Sequence, residues 1–341
     1  MNLPQRILVI RLSAMGDVAM CVPVLLALYK KYPEVEVITL SRKRFKPILS
    51  QLPNIQFVEA QVNDTHKGFS GLWRLAKELR NLKPDAIADF HNVLRSKTLR
   101  ALMVGIPQAS IDKGRSEKKQ LVKNPSFFKP LKHTTERYAD VLRDLGFEIN
   151  LQKSDYFKKR PISTEIYEIV GKNTSKWIGF APFAAHRTKA LGLLKATEVA
   201  QEIAALSGVQ VLLFGGGKKE TSDLEHIASG SENIISLAGK LDFEQELNII
   251  SNLDTMIAMD SGNGHLAAMY GIPVITLWGN THPYAGFAPF AQSVERHLTV
   301  NRDEYPLVPT SIFGNELVDG YENIIDTIDT AVIMERLKEL I

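Results

Sequence analysis

The densest group of residues that could do chemistry follows an apolar run at residues 255–260. The chain there reads Asp260-Ser261-Gly262-Asn263-Gly264-His265 and then enters a predicted helix. Small residues at a helix start leave backbone N–H groups accessible, and these groups and the helix dipole attract anions. His265 adds a further donor. The pattern therefore predicts a phosphate site, the alternative being an ordinary helix start with a structural histidine.

Two further loops carry groups that suit an anionic ligand. Arg187, Thr188 and Lys189 follow an apolar run at 177–183, and Gly215-Gly216-Gly217 with Glu220 follows the run at 209–215. Glycines after a strand let a phosphate or a ribose approach the backbone. Because the carboxyl ends of parallel strands meet at one sheet edge, we expect these loops to lie together. A solvated loop and a plain strand-to-helix turn remain the alternatives.

A carboxylate follows the first apolar run of the chain. The segment reads Arg11-Leu12-Ser13-Ala14-Met15-Gly16-Asp17 and leads into a predicted helix. Gly16 permits a tight turn or the close approach of a ligand. Asp is also a favoured N-cap, so capping alone accounts for Asp17. The segment lacks the GxGxxG fingerprint, which disfavours a nicotinamide-dependent oxidoreductase.

Strand-length apolar runs alternate with helical stretches in both halves of the chain. Strands are predicted at 6–12, 34–40, 55–61, 86–90, 177–183, 209–215, 233–237, 255–260 and 273–278. Helices are predicted at 18–31, 72–82, 96–103, 134–145, 194–207, 219–229, 243–252, 265–270 and 329–340, the last capped by Asp329. Residues 108–132 read as a long basic loop, and 150–175 as a boundary. This alternation predicts an α/β protein with two doubly wound parallel sheets.

Composition and charge narrow the class of protein to which the chain can belong. The 341 residues are 45% hydrophobic and hold one cysteine, Cys21, which excludes a disulfide framework and a cysteine-based zinc site. No run approaches the length of a membrane span and no signal peptide is recognisable, so a cytoplasmic location is expected. Residues 1–160 hold 29 Lys and Arg against 15 Asp and Glu, whereas the remainder holds 12 against 23. The basic half is expected to attract an anionic ligand or membrane surface, unless it is merely a solvated face.

Three segments together resemble glycosyltransferase family 9, the ADP-heptose:lipopolysaccharide heptosyltransferases. They are ILVIRLSAMGDV near the start, the loop around Lys189, and MDSGNGHLAAMYGIPVITLWGNTHP. The resemblance implies a GT-B fold, in which two Rossmann-like domains face each other across a cleft. Residues 1–160 would bind the acceptor and 161–325 the nucleotide-sugar donor. The terminal helix within 326–341 would pack back on the first domain.

The resemblance also implies roles for individual residues. Asp17 matches the family's catalytic base, and Lys189 matches the lysine that meets the donor diphosphate. Glu220 lies near the ribose-binding acid, and Leu241 matches a position in the adenine pocket. The expected donor contacts are Arg187, Thr188, Lys189, Glu220, Leu241, Asp260, Ser261, Gly262 and His265. The chain departs from the family at Ala184-Ala185, where a Thr pair is typical, and at Leu191, where an aromatic residue is typical.

The implied reaction is an inverting single displacement from an ADP-sugar to a hydroxyl of the lipopolysaccharide inner core. Asp17 would accept the hydroxyl proton, and Lys189 would stabilise the departing diphosphate. No cofactor and no metal is expected to be obligatory, because no Asp–x–Asp pair occurs. Candidate contacts to the anionic acceptor are Ser13, Arg42, Arg44, Arg95, Lys97 and Arg100.

The same resemblance predicts where the protein works. We expect a monomer without nucleic-acid partners, attached peripherally to the cytoplasmic face of the anionic inner membrane. Two other functions remain open at this point: a GT-B nucleotide-sugar epimerase, and a non-catalytic protein that binds a nucleotide or lipid A.

Overall fold

A computed structural model describes residues 3–171 and 176–341 of the chain. The fold divides into two compact units. Unit 1 comprises the residues up to Lys113 together with Thr134–Tyr156, and unit 2 comprises Gly114–His133 and Phe157–Ile341. Residues 114–133, predicted as part of the first domain, belong to unit 2.

Unit 1 is built on a five-stranded parallel sheet in the order β3-β2-β1-β4-β5. Its strands are β1 (Arg6–Ile10), β2 (Glu36–Ser41), β3 (Ile55–Glu59), β4 (Ala86–Asp89) and β5 (Gln108–Ser110). Its helices are α1 (Met15–Ala19), α2 (Cys21–Lys31), α3 (Lys46–Leu49), α4 (Gly68–Asn81), α5 (Leu94–Leu102) and α7 (Thr134–Asp144). Helix α6 (Arg115–Lys123), which lies between α5 and α7 in the chain, belongs to unit 2.

Both faces of this sheet are buried, as its nearly continuous apolar strands require. Leu8 and Ile10 point to the face that packs with the apolar sides of α4 and α5. The alternate residues Ile7 and Val9 are equally buried on the other face, and α7 contacts β4 and β5. The chain thus forms the doubly wound arrangement predicted from its alternation.

Unit 2 is built on a six-stranded parallel sheet in the order β11-β10-β9-β6-β7-β8. Its strands are β6 (Lys176–Ala181), β7 (Val209–Leu213), β8 (Ile234–Ser236), β9 (Thr255–Met259), β10 (Val274–Trp278) and β11 (His297–Thr299). Its other helices are α8 (Thr164–Val170), α9 (Leu193–Ala204), α10 (Lys218–Ala228), α11 (Phe243–Ile250), α12 (Gly262–Ala268) and α13 (Thr330–Lys338). The predicted α/β class is confirmed in both units.

The terminal helix α13 packs within unit 2. Asp329 caps it, as predicted, because its Oδ1 accepts the N–H of Ala331 at 2.9 Å. Ile333, Met334 and Leu337 enter the core formed by α9 and the sheet of unit 2. The apolar stripe of this helix is thus used within unit 2, and its packing on the first domain stays a prediction.

Local structure differs from prediction at three places. The predicted helix 18–31 is two helices that meet at Met20, because Pro23 has no N–H to donate four residues back. The predicted loop 108–132 contains β5 and α6, and the region 150–175 contains α8, whose N-cap Ser163 accepts the N–H of Ile166. Each of these missed elements is short or, in α6, strongly basic, so its apolar periodicity is weak.

The segment Gly114–His133 is anchored to unit 2 by apolar and cation–π contacts. Leu121 and Leu131 form a small cluster with Ala285. The guanidinium of Arg302 lies 3.4 Å from the ring centre of Phe128, which also contacts His282 and Tyr284. This segment carries six Lys and Arg but one acid, Glu117. Part of the positive charge of the first half thus belongs to unit 2.

Within the described ranges, no helix is both long and apolar enough to cross a bilayer.

Candidate functional site

The predicted donor residues of unit 2 all follow strands at one edge of its sheet. Lys189 follows β6, and Asp260 follows the neighbouring strand β9. The strand order reverses between β6 and β9, because the chain winds from β6 to β8 on one side and continues at β9 on the other. Ligands of doubly wound sheets bind at such a switch point, where loops diverge and leave a crevice.

An ion pair bridges this switch point. Nζ of Lys189 lies 3.2 Å from Oδ2 of Asp260, and the hydroxyl of Thr281 donates to the same oxygen at 2.9 Å. The two charged side chains are only 14% and 11% exposed. The Lys189 ammonium has three N–H donors, so it can hold Asp260 and still bind an anion. The structure thus places a cation at the crevice, with its position set by a neighbouring carboxylate.

A loop after β11 holds the backbone that carries Lys189. The Thr188 hydroxyl donates to the carbonyl of Gly314, and the Thr188 carbonyl accepts the N–H of Asn280 at 3.4 Å. Gly314 has a φ of +73°, and a Cβ built there would lie 2.5 Å from Cγ of Lys189. The lysine stem therefore lies against a backbone position that only glycine leaves open. Thr188, predicted to contact the donor, is buried and holds this loop.

Replacement of Gly314 by alanine is expected to displace Lys189 and weaken ADP binding. Gly320 offers a matched control, because it also has a positive φ, of +80°, but its Cβ would meet nothing within 4 Å. Both variants carry the backbone strain of alanine at positive φ, about 1–2 kcal/mol. Titration calorimetry with ADP should show a lower affinity for Gly314→Ala and an unchanged affinity for Gly320→Ala. Equal ADP affinities for Gly314→Ala and Gly320→Ala would contradict the contact with Lys189.

The remaining donor candidates line the same edge. Glu220 accepts the N–H of Gly216 at 2.9 Å and so closes the glycine turn after β7. Leu241 follows β8 and is partly buried, and the Arg187 guanidinium donates to Asn323 at 3.3 Å. The Ser261 hydroxyl is buried and has no hydrogen-bond partner among the residues that the structure describes. Gly262 opens α12, and His265 is buried in its first turn.

In unit 1, Asp17 lies at the corresponding switch point between β1 and β4. Its Oδ2 accepts the N–H of Ala14 at 3.0 Å and lies 2.6 Å from the Arg11 guanidinium. Asp17 is the third residue of α1, and the N-cap residue is Ala14. Because the Asp17 side chain accepts the backbone N–H of Ala14, Asp17 stabilises the helix start without being the N-cap residue itself. Within the described part of the chain, Oδ1 accepts no hydrogen bond, and the side chain is 25% exposed. One oxygen is therefore anchored while the other is available to a substrate.

Two neighbouring groups at the end of β4 are less suited to take a proton. Asp89 is fully buried and accepts the N–H groups of His91 and Asn92 at 2.9 and 2.8 Å. Burial and the positive charges of Arg11, Lys113 and Arg42 lower the pKa of His91 to about 3. Nδ1 of His91 accepts the N–H of Leu12. The imidazole is therefore neutral and structural, which leaves Asp17 as the candidate for a base at this sheet edge.

The predicted acceptor residues lie on several elements of unit 1. Ser13 lies in the loop before α1, Arg42 and Arg44 follow β2, and Arg95 and Lys97 are exposed on α5. Arg100 is committed to structural partners, because it donates to Gln108 at 2.8 Å and lies 3.5 Å from Asp89. All six stay predictions as acceptor contacts.

Sequence reasoning missed three residues that shape the site. Thr281, Gly314 and Arg11 each fix a charged side chain: Thr281 binds Asp260, Gly314 admits the stem of Lys189, and Arg11 pairs with Asp17. Arg11 left a signal, since it is a single cation at the end of an apolar strand. Thr281 left one too, because it lies in the polar loop that follows the apolar run at 273–278. Gly314 acts over a sequence separation that no local pattern reports.

Comparisons with known proteins point to one family. A sequence model of glycosyltransferase family 9 (heptosyltransferase) matches residues 72–310. Over 299 residues, 82% of this chain and 80% of that protein, the chain is 25% identical to the lipopolysaccharide core heptosyltransferase OpsX of Haemophilus influenzae.

Solved structures share the fold. The family 9 glycosyl transferase from Veillonella parvula superposes with a TM-score of 0.77 at 19% identity, over 100% of this chain and 98% of that chain. The E. coli heptosyltransferase WaaC, solved with ADP, superposes with a TM-score of 0.71 at 16% identity, over 98% and 100%. Since the family model spans more than two thirds of the residues, the chain belongs to glycosyltransferase family 9, the heptosyltransferases.

Proposed function

We propose that this glycosyltransferase moves a heptose from ADP-heptose to a hydroxyl of the lipopolysaccharide inner core, with inversion at the anomeric carbon. The observation that carries the proposal is the Lys189–Asp260–Thr281 group at the switch point of unit 2, in a chain of the heptosyltransferase family. The related protein OpsX is named for the same activity on the lipopolysaccharide core. ADP-heptose is a substrate here, and the proposed chemistry needs no cofactor.

Unit 2 is proposed to hold the donor. Lys189 donates to the diphosphate, the start of α12 at Ser261 and Gly262 supplies backbone N–H groups, and Glu220 and Leu241 bind the ribose and adenine. As the bond between the anomeric carbon and the diphosphate oxygen breaks, the electron pair leaves with ADP. Fixed donors at that oxygen stabilise the developing charge without reorganisation, which lowers the barrier.

Unit 1 is proposed to bind the acceptor and supply the base. Oδ1 of Asp17 takes the proton of the acceptor hydroxyl while the hydroxyl oxygen forms the new bond to the anomeric carbon. The anchoring of Oδ2 by Arg11 and Ala14 keeps the carboxylate in one orientation, which such a transfer requires. The half-buried Arg42 and the exposed cations Arg44, Arg95 and Lys97 suit the phosphates and carboxylates of the acceptor. We further propose that the protein works as a monomer at the cytoplasmic face of the inner membrane.

A ligand screen by thermal unfolding tests the donor assignment. A ligand that binds only the folded state raises stability by RT ln(1 + [L]/Kd), so ligands at equal concentration rank by affinity. ADP and ADP-heptose are expected to raise the Tm more than UDP, GDP or their sugars. The purified chain should then transfer heptose from ADP-heptose to a deacylated core acceptor. A Tm raised by UDP-sugars, together with product from the sugar nucleotide alone, would instead indicate an epimerase.

A further inference from the structure

The outer face of α4 in unit 1 is unusual for a helix that covers a sheet. Its inner side packs in the core through Leu72, Leu75, Ala76 and Leu79. Its outer side carries Phe69 and Trp73, which are 69% and 57% exposed. These two aromatic side chains are four residues apart and therefore neighbours on the helix surface. A helix on a protein surface normally presents polar residues there, so a paired aromatic stripe indicates a binding surface.

The neighbouring helix α5 extends this surface. Helices α4 and α5 pack side by side, and each begins at the carboxyl edge of the sheet. Leu94, the first residue of α5, is 81% exposed. Phe69 is the second residue of α4, so Phe69, Trp73 and Leu94 all lie toward the same end of the helix pair. We call these residues, with the exposed cations around them, the α4–α5 surface; the cations are Lys67, Arg74, Lys77, Arg95 and Lys97.

The charge on this surface is mainly positive. Helix α5 contains no acidic residue, and the single acid of α4, Glu78, lies 3.3 Å from Nε2 of His66. Five exposed cations thus flank three exposed apolar side chains. This composition is that of elements that lie on anionic membranes, where aromatic side chains enter the headgroup region and cations attract the lipid phosphates. A protein partner would need acidic groups placed to match these lysines and arginines. A fluid anionic bilayer provides phosphates next to each cation without a specific fit.

We propose that the α4–α5 surface binds an anionic lipid bilayer, with Phe69, Trp73 and Leu94 in the headgroup region and the cations on the lipid phosphates. This proposal rests on the proposed function only in that the acceptor is carried by a membrane. The surface begins at the edge of the sheet from which Asp17 and the acceptor candidates project. Bilayer contact there brings a lipid-borne acceptor to the base.

Tryptophan fluorescence reports this contact directly. Of the three tryptophans, Trp177 and Trp278 are buried at 8% and 1% exposure, whereas Trp73 is exposed. With vesicles of phosphatidylglycerol and phosphatidylcholine in equal parts, the emission of the full chain is expected to shift to shorter wavelength. Vesicles of phosphatidylcholine alone should produce no shift. The variant Trp73→Phe should lose the shift but still co-sediment with the anionic vesicles.

Co-sedimentation with the same vesicles measures the binding itself. Phe69→Ser/Trp73→Ser is expected to lower the partition coefficient at least about tenfold. Arg74→Ser/Lys77→Ser should lower it about fivefold for each cation removed, the equivalent of about 1 kcal/mol per charge. Leu194→Ser/Val332→Ser is the matched control, because it removes two exposed apolar side chains from helices α9 and α13 of unit 2. That control should bind vesicles as the parent does.

The outcomes separate this proposal from the proposed function. Transfer to a water-soluble core fragment should be unchanged in Phe69→Ser/Trp73→Ser, since neither side chain belongs to the donor or acceptor site. Unchanged vesicle binding by this variant would overturn the proposal, even if heptose transfer is confirmed. A parent dimer in sedimentation that the variant converts to monomer, without vesicle binding, would overturn it as well and identify the surface as a contact between two copies.

Discussion

The Asp17→Asn variant is expected to transfer heptose roughly 10²–10⁴-fold more slowly than the parent, which is the usual contribution of a general base. The amide cannot accept a proton near neutral pH. Its carbonyl oxygen can still accept the N–H of Ala14, so the start of α1 should be kept. Single-turnover rates with ADP-heptose and a soluble core acceptor measure the effect. The Tm and the affinity for ADP should stay close to those of the parent.

A second variant separates the base from its anchor. Arg11→Lys keeps a cation at the strand end but loses the fixed geometry of the guanidinium, which holds both Asp17 and the carbonyl of Phe90. A rate between those of the parent and Asp17→Asn is expected. Transfer at the parent's rate by Asp17→Asn would remove the assignment and leave Asp17 as a helix-capping residue only.

Lys189→Ala is expected to produce the second large effect, in the donor site. Hydrogen bonds to charged groups contribute about 1.5–3 kcal/mol, so the affinity for ADP should fall roughly 10–150-fold. The turnover number should fall further, by about 10²–10³-fold, because the charge on the leaving diphosphate grows in the transition state. Calorimetry with ADP and steady-state kinetics measure the two effects separately.

The ion pair provides an internal check on this result. Loss of Lys189 leaves the Asp260 carboxylate beside the proposed diphosphate position, with only the Thr281 hydroxyl as its partner among the described residues. The double variant Lys189→Ala/Asp260→Asn removes that repulsion, so it should bind ADP more tightly than Lys189→Ala. Lys31→Ala, which breaks an exposed lysine–glutamate pair in unit 1, serves as the control for general loss of a lysine. Wild-type affinity in Lys189→Ala would place the diphosphate elsewhere.

The sequence predicted both sheets, and the sheet edge at which the candidate donor residues lie, for a physical reason. Buried parallel strands such as Ile7–Ile10 and Thr255–Met259 are continuous apolar runs, and chain order alone sends their loops to one edge. Asp17, Lys189 and Asp260 stand out as candidates because Asp260 directly follows such a run and the other two lie in the loops that follow one. The GT-B class required the resemblance to the family, since alternation by itself predicts doubly wound sheets without naming a reaction.

What could not be predicted depends on contacts between distant segments. Thr188 looks like a ligand-binding hydroxyl in a polar loop. Its hydroxyl instead donates a hydrogen bond to the carbonyl of Gly314, which is more than a hundred residues away in the sequence. Helix α6 looks like a basic loop because Lys118 occupies an inward position. There its ammonium lies 3.9 Å from the ring centre of Phe287. Neither contact has a local sequence signal, because each depends on a partner that only the fold brings near.

The placement of Gly114–His133 in unit 2 sets an order for folding during synthesis. Unit 1 is complete once Tyr156 has been made, but this segment needs Ala285 and Arg302, which are made about 150 residues later. At about 5–20 residues per second, roughly 8–30 seconds pass during which Phe127, Phe128 and Leu131 lack their partners. A nascent chain therefore exposes an apolar and basic segment in the middle of an otherwise finished unit, and a fragment that ends at Tyr156 retains that exposure permanently.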